Sequence, residues 1–210
     1  MLEMSNPGAG RPTKHHRGFR GFKNEVPIQY ALRCCRDMLI QATLDRHVQA
    51  ISPSNFDTSQ VKSFFAIEVT LADRRGLVAL TDRDGPALFH PPEGYSFGIK
   101  IAASQVCSDP LKSNARLIWS CRERLVPADF HIRVTQALGH SRAGLTLSDL
   151  RRILSPSHPA WLNNIFTMVA TGSIELGDLA QLAEGTRVFP RLSAPKQAFF
   201  ANLPDDREQL

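Results

Sequence analysis

The sequence predicts a mixed α/β fold, with helices flanking a mixed β-sheet and a small, mostly helical unit following it. Three observations predict this. Apolar residues recur at helical spacing between Pro27 and Leu44, two apolar extended runs follow between 64 and 81, and past Gly139 the texture turns helical.

Ile28, Leu32, Cys35, Leu39 and Ala42 share one helical face, and Pro27 suits a first turn, so a helix is expected from Pro27 to Leu44. Phe64 to Leu71 and Gly76 to Thr81 read as strands separated by the turn Asp73-Arg74-Arg75-Gly76. Asp84-Gly85-Pro86 marks a further turn, and Tyr95 to Ala102 reads as the next strand. Asp109-Pro110 pairs an N-cap acid with a proline at the first helical position, and Leu111, Ala115, Ile118 and Leu125 mark one apolar face after it. Phe130 to Val134 alternates apolar and polar residues and reads as a strand. A strand, helix, strand crossover of this kind implies a mixed sheet with a helix packed on it.

Thr146-Leu147-Ser148-Asp149 has the spacing of a capping box ahead of Leu150, Ile153 and Leu154. A Ser-Pro-Ser-His-Pro loop leads to a second helix from Ala160 to Ala170, which Gly172 ends. Ser173 to Leu176 is extended, Asp178 to Ala183 suggests a short helix, and Thr186 to Phe189 supplies a wing strand. This pattern fits a winged-helix domain. The expected organisation is a flexible basic arm over 1–23, an α/β domain over 24–139, the winged-helix domain over 140–192 and a tail over 193–210, acidic and disordered from Leu203.

With 42% hydrophobic and 21% charged residues, the 210-residue chain has the composition of a globular protein and not of a disordered one. No apolar run approaches the roughly 20 residues that cross a bilayer, and the polar, basic N-terminus lacks the pattern of a secretory leader. A cytoplasmic protein is expected. Cys34 and Cys35 lie side by side on a predicted helix, where neighbouring side chains point apart, and with Cys107 and Cys121 they are expected as reduced thiols. The seven histidines (His15, His16, His47, His90, His131, His140 and His158) are scattered away from other ligand types, so no zinc is expected. The formal charge is +5, and Arg11, Lys14, Arg17, Arg20 and Lys23 fall in one stretch without an acid. Two readings of that stretch stand side by side: an arm that neutralises phosphates, and a solvated tail that aids solubility.

The run from Cys35-Arg36-Asp37-Met38-Leu39 to Asp45-Arg46-His47-Val48 resembles the first helix of the TnsA-type transposon-end endonucleases, metal-dependent nucleases of the PD-(D/E)XK type. In that family a glutamate precedes an Arg-Asp-aromatic-Leu helix; Cys35 stands in its place. The family's next acid lies shortly before an Asp-Gly turn, and counting back from Asp84-Gly85 reaches Gly76-Leu77. Its third element, acid-any-lysine, matches Gly98-Ile99-Lys100, in which only Lys100 is retained. Downstream, Trp161 to Leu182 and Gly185-Thr186-Arg187-Val188 are similar to the winged-helix tail of such proteins. The resemblance covers roughly residues 24 to 190, in layout more than in identity.

The resemblance implies a restriction-endonuclease-like sheet that has lost its chemistry, because carboxylates must hold Mg²⁺ and a lysine alone cannot. No cofactor is expected. Mg²⁺ enters only in a divergent nuclease rebuilt from Glu68, Asp73, Asp82 and Asp84, which otherwise read as solvent-facing turn acids. Lys100 is either a residual phosphate contact, the family placing it in the DNA cleft, or a snorkelling strand lysine. Cys35 reads as a small core residue. Asn163, Asn164 and Thr167 are candidates to face a major groove, and Arg151 and Arg152 are either DNA contacts or ordinary solvated charge. The expected function is a non-catalytic TnsA-like protein that binds DNA or docks a transposase, recombination or regulatory partner of a mobile element. The alternatives are a divergent Mg²⁺-dependent endonuclease and a protein-interaction adaptor that does not bind DNA.

Overall fold

The structure is a computed structural model that describes residues 18–72, 74–83, 87–141, 143–154 and 160–191. The first part comprises α1 (Arg33–Leu44), β1 (Ala50–Pro53), β2 (Phe65–Thr70), β3 (Arg75–Thr81), β4 (Ala87–Phe89) and β5 (Phe97–Ala102). Then come α2 (Ala103–Val106), α3 (Leu111–Ser120), α4 (Ala128–Gly139), β6 (Leu145–Thr146), α5 (Leu147–Leu154), α6 (Trp161–Ala170), β7 (Ile174–Leu176) and β8 (Arg187–Pro190). β1 to β5 form one sheet in the order β1-β2-β3-β5-β4, and β6 to β8 a second in the order β6-β8-β7.

The expected mixed sheet is present, and its origin differs from the expected one. Its single parallel pair is β3 with β5, and the chain passes between them through the edge strand β4, not through a helix. The segment expected as a returning strand, Phe130 to Val134, is part of α4. Phe130, Val134 and Leu138 are all buried at a spacing of four, whereas Ile132 is 54% exposed, so the 3.6-residue period overrides five residues of alternation. Asp178 to Ala183 is likewise not helical; it turns back through the Asp178 carboxylate, which accepts the Ala180 N–H at 2.8 Å.

Helix α1 starts later than Pro27 because Ile28 pairs with Phe19 instead, exchanging backbone hydrogen bonds of 3.0 and 2.8 Å. Both side chains enter the core, and Phe19 stacks on Trp119 with centroids 5.2 Å apart. The end of the stretch expected as a flexible arm is therefore built into the fold. Asp109 accepts the Ser113 N–H at 3.2 Å near the start of α3, and Leu125, expected on that helix's apolar face, lies beyond it and is 94% exposed.

At α5 the capping box forms as expected: the Thr146 hydroxyl accepts the Asp149 N–H at 3.0 Å while the Asp149 carboxylate accepts the Thr146 N–H at 3.3 Å. At the end of α6, Gly172 takes a φ of +74°, and the N–H groups of Gly172 and Ser173 return to the carbonyls of Val169 and Met168. The ring of Phe22 lies directly over Gly172, where a Cβ would come within 2.4 Å of it. One apolar core runs from Phe19 through α1, the inner face of the large sheet, α3, α4 and α6 to Val188. Within it, α3 packs on α6, and the Thr167 hydroxyl donates to the Cys121 carbonyl at 3.2 Å.

Candidate functional site

The pleat of the large sheet sorts its residues into two faces. Ile67, Val69, Val78, Leu80, Phe97 and Ile99 point into the core against the helices. The outer face carries two rows read directly from the register. One is Ser52, Glu68, Leu77, Gly98 and Phe89; the next is Ala66, Ala79, Lys100 and Ala87. Leu77 and Gly98 are thus side-by-side neighbours on adjacent strands, with Lys100 one step further along the same face. Gly76 points the other way, beneath the Phe97 ring, so Leu77 is the member of the Gly76-Leu77 pair that shares the face of Lys100.

That face is closed over the first row. The Phe89 ring covers Gly98, and Phe56, in the segment between β1 and β2, stacks on Phe89 at 5.7 Å with the rings inclined by 28°. β1 and β4 are the opposite edges of the sheet, so this segment straps across it. Leu77 and Ala79 are fully buried although they stand on the side away from the helices. Cys35 is buried in α1, its thiol pushed up to about 11 by burial. All four cysteines are free thiols.

The acids that would rebuild a metal centre do not gather at Lys100. Glu68 lies two strands and one row away, about 12 Å between Cα atoms by strand geometry, and its carboxylate is taken by the Arg75 guanidinium and the Tyr95 hydroxyl. That carboxylate also holds the Tyr95 phenol above its ordinary pKa. Asp82 is exposed just past β3, and Asp73 and Asp84 lie outside the described residues. Among the described residues no three His, Cys, Asp or Glu side chains converge as metal ligands would.

The cationic candidates divide. Arg11, Lys14 and Arg17 lie outside the described residues, and Arg20 is exposed. Lys23 is part of a mixed-charge cluster, its ammonium donating to the Asp45 carbonyl. Burial lowers its pKa to about 8 despite the pull of Asp45 and Glu175. Burial also raises the carboxyls of Asp45 and Glu175, the latter against the attraction of Lys23, Arg46 and Arg191. The Arg46 guanidinium lies 4.0 Å from the Phe189 ring centroid, and its Nε and Glu175 Oε2 are buried without a hydrogen-bond partner among the described residues. Arg151 pairs with Glu184 at 2.8 Å and Arg152 with Asp149 at 3.2 Å, both at the surface. Asn163 is exposed, but Asn164 and Thr167 are buried and cannot face a groove. They follow the α6 face that packs inward rather than the solvent side of that helix.

No family model matches this chain, and neither a curated protein nor a solved structure is detectably similar to it. Among the described residues no helix is long and apolar enough to cross a membrane. Sequence reasoning missed Phe56, Phe89 and the Glu68-Arg75-Tyr95 network. For the last, a signal existed: in a hairpin around residues 71–74, Glu68 and Arg75 fall on the same face two positions apart in register.

Proposed function

We propose that this protein is a non-catalytic, TnsA-like member of a mobile-element system, which binds DNA or docks a recombination partner without cutting DNA. One observation carries the reading. Leu77 and Gly98 stand side by side with Lys100 on the same face, in the layout a nuclease would give to two acids and a lysine, and the acid positions are packed with apolar groups under Phe89 and Phe56. Hydrolysis of a phosphodiester through Mg²⁺ needs carboxylate oxygens at that point, and a leucine and a glycine offer none. The order α4, β6, α5, α6, β7, β8, with β8 central in its sheet, supports the winged-helix reading of the C-terminal part.

A second reading, a protein-interaction adaptor, is favoured by α6. In a DNA-binding winged helix the corresponding helix enters the major groove, whereas residues Asn164 to Ala170 of α6 are all buried and the helix packs on α3. Base readout by α6 is not part of this proposal; DNA contacts come from cations elsewhere. The test uses purified full-length protein and supercoiled plasmid with Mg²⁺ or Mn²⁺. No nicking is expected, and cleavage that disappears in Lys100→Ala would overturn the non-catalytic reading. Salt-dependent DNA affinity separates the DNA-binding form from the adaptor.

A further inference from the structure

We infer that Lys62, Arg83 and Lys100 form a seat for a phosphodiester phosphate around Thr81, at the carboxyl end of the β3 and β5 pair. The inference rests on the DNA-binding reading and assigns the contact to a place in the fold. Thr81 ends β3 and is 3% exposed. Its hydroxyl accepts the Arg83 N–H at 3.2 Å and donates to the Lys62 carbonyl at 3.3 Å, so one side chain ties down the backbone of two cationic residues. Lys62 is held there with φ of +54°, and among the described residues it is the one non-glycine residue with a positive φ. That left-handed conformation closes the short 3₁₀ turn Thr58–Val61, where the Lys62 N–H donates to the Ser59 carbonyl at 3.1 Å.

Lys100 reaches the same place from β5. Thr81 pairs with Ala102 and Ala79 with Lys100, so Lys100 is the diagonal neighbour of Thr81 on the outer face, about 8 Å away between Cα atoms. A lysine side chain spans such a diagonal. Its neighbours across the sheet are Ala79, which is fully buried, and Ala87, which is exposed, so Lys100 is approached from the β4 side.

Six other cations of the described chain are already engaged with carboxylates. Arg75, Arg116, Arg122, Arg151, Arg152 and Lys112 each hold a carboxylate. The ammonium groups of Lys62 and Lys100 and the guanidinium of Arg83 pair with no described residue. Asp82, exposed between Thr81 and Arg83, is the described carboxylate closest in sequence, and Asp84 lies outside the described residues. Three cations without a described carboxylate partner, two with backbones tied to Thr81 and one on the neighbouring strand, favour a ligand that is small, multiply oxygenated and anionic, and a phosphate group fits that demand. The seat needs no metal, so it is compatible with the missing acids at Leu77 and Gly98.

The experiment is a fluorescence anisotropy titration of a short labelled DNA duplex with full-length protein over a salt series. Lys62→Ala, Arg83→Ala and Lys100→Ala should each flatten the dependence of log affinity on log salt by up to about 0.9, and the triple variant by up to about three times that. Arg122→Ala, which removes a cation already paired with Glu123, should leave the slope unchanged. Circular dichroism and urea midpoints certify folding, and Lys100→Arg, which keeps the charge, should retain the slope if the loss in Lys100→Ala is electrostatic. Wild-type binding with an unchanged triple variant would overturn the seat while leaving the DNA-binding reading intact. Absence of duplex binding by the wild type would overturn that reading, and inorganic phosphate then decides the seat. Thermal stabilisation by phosphate that the triple variant loses supports it; equal response, or none, overturns it.

Discussion

The Phe89 ring covers Gly98 so closely that a Cβ added at position 98 would lie 2.8 Å from two ring carbons and from the Phe89 carbonyl oxygen. The ring cannot simply swing aside, because Phe56 is stacked on it. Gly98→Glu, the substitution that would restore an acid-any-lysine motif, is therefore expected to lower stability by about 1–3 kcal/mol through overpacking, with more lost to the buried carboxylate. It should gain no nuclease activity. Urea denaturation and a plasmid assay check both halves, and Gly98→Glu combined with Phe89→Ala should recover part of the lost stability. An unchanged urea midpoint for the single variant would show that the ring does not close this face.

Asp37 and Arg116 tie α1 to α3. The Asp37 side chain is 2% exposed, and Arg116 Nε donates to its Oδ1 at 2.8 Å while a second guanidinium nitrogen meets Oδ2. Arg116→Ala leaves a buried carboxylate without its cation and should cost about 3–5 kcal/mol in chemical denaturation. Replacing both partners, by Asp37→Leu with Arg116→Met, should cost much less, since no charge is then stranded. Equal losses for the single and double variants would assign the effect to packing alone.

The cluster of Lys23, Asp45, Arg46, His47, Glu175 and Arg191 makes stability depend on pH in two windows. Burial raises the Glu175 carboxyl above its ordinary 4.5, so its contribution is fully present below pH 4.5 and is lost as pH rises through the folded value. Lys23 is depressed from 10.5 to about 8, so its contribution is present above pH 10.5 and is lost as pH falls through about 8. The stability of wild type minus Glu175→Gln should thus decline between acid and neutral pH, and that of wild type minus Lys23→Met should grow from pH 8 upward. Urea midpoints across the pH range measure both. A flat difference for Glu175→Gln would mean that its carboxyl stays in contact with water.

Removing residues 1–17 takes away Arg11, Lys14 and Arg17. If they meet phosphates, the salt slope of DNA binding should flatten by up to about 0.9 per lost contact with the urea midpoint unchanged. Removing residues 1–23 is a different experiment, because it also strips Phe19 from the core and should cost about 3–5 kcal/mol, as large aromatic deletions do. A shortened 1–23 variant with full stability would contradict the role of Phe19.

Strands β2, β3 and β5, the capping box at Thr146 and the glycine stop at Gly172 were legible in the sequence because each rests on a local rule that packing does not oppose. Phe130 to Val134 misled because a five-residue window satisfies a two-residue period, and the helical period emerges only when Leu138 is included. Pro27 to Leu32 misled because Phe19, far from it in the helical pattern, competes for Ile28. Of the candidate site, the shared face of Leu77, Gly98 and Lys100 follows from the period of two once strands are assigned. The strap from Phe56 to Phe89 does not, since contact between opposite edges of a sheet leaves no periodic trace. The burial of Asn164 was hidden for a related reason: α6 is apolar on most of its surface, and sequence alone does not say which polar residue is drawn in with it.

Phe22 rests on Gly172, which places one of the first described residues against the end of α6. A ribosome releases these two positions at very different times. The segment around Phe19 and Phe22 therefore leaves the exit tunnel with only the local pairing of Phe19 and Ile28 to hold it, and the Phe22 ring finds its seat only after α6 has emerged and closed its final turn. Joining such distant points costs loop entropy that grows only slowly with the length of the loop, so the delay is one of timing more than of stability. Until then the aromatic side chains at 19 and 22 lack their distant partners, and the nascent chain is open to aggregation or chaperone capture in this segment.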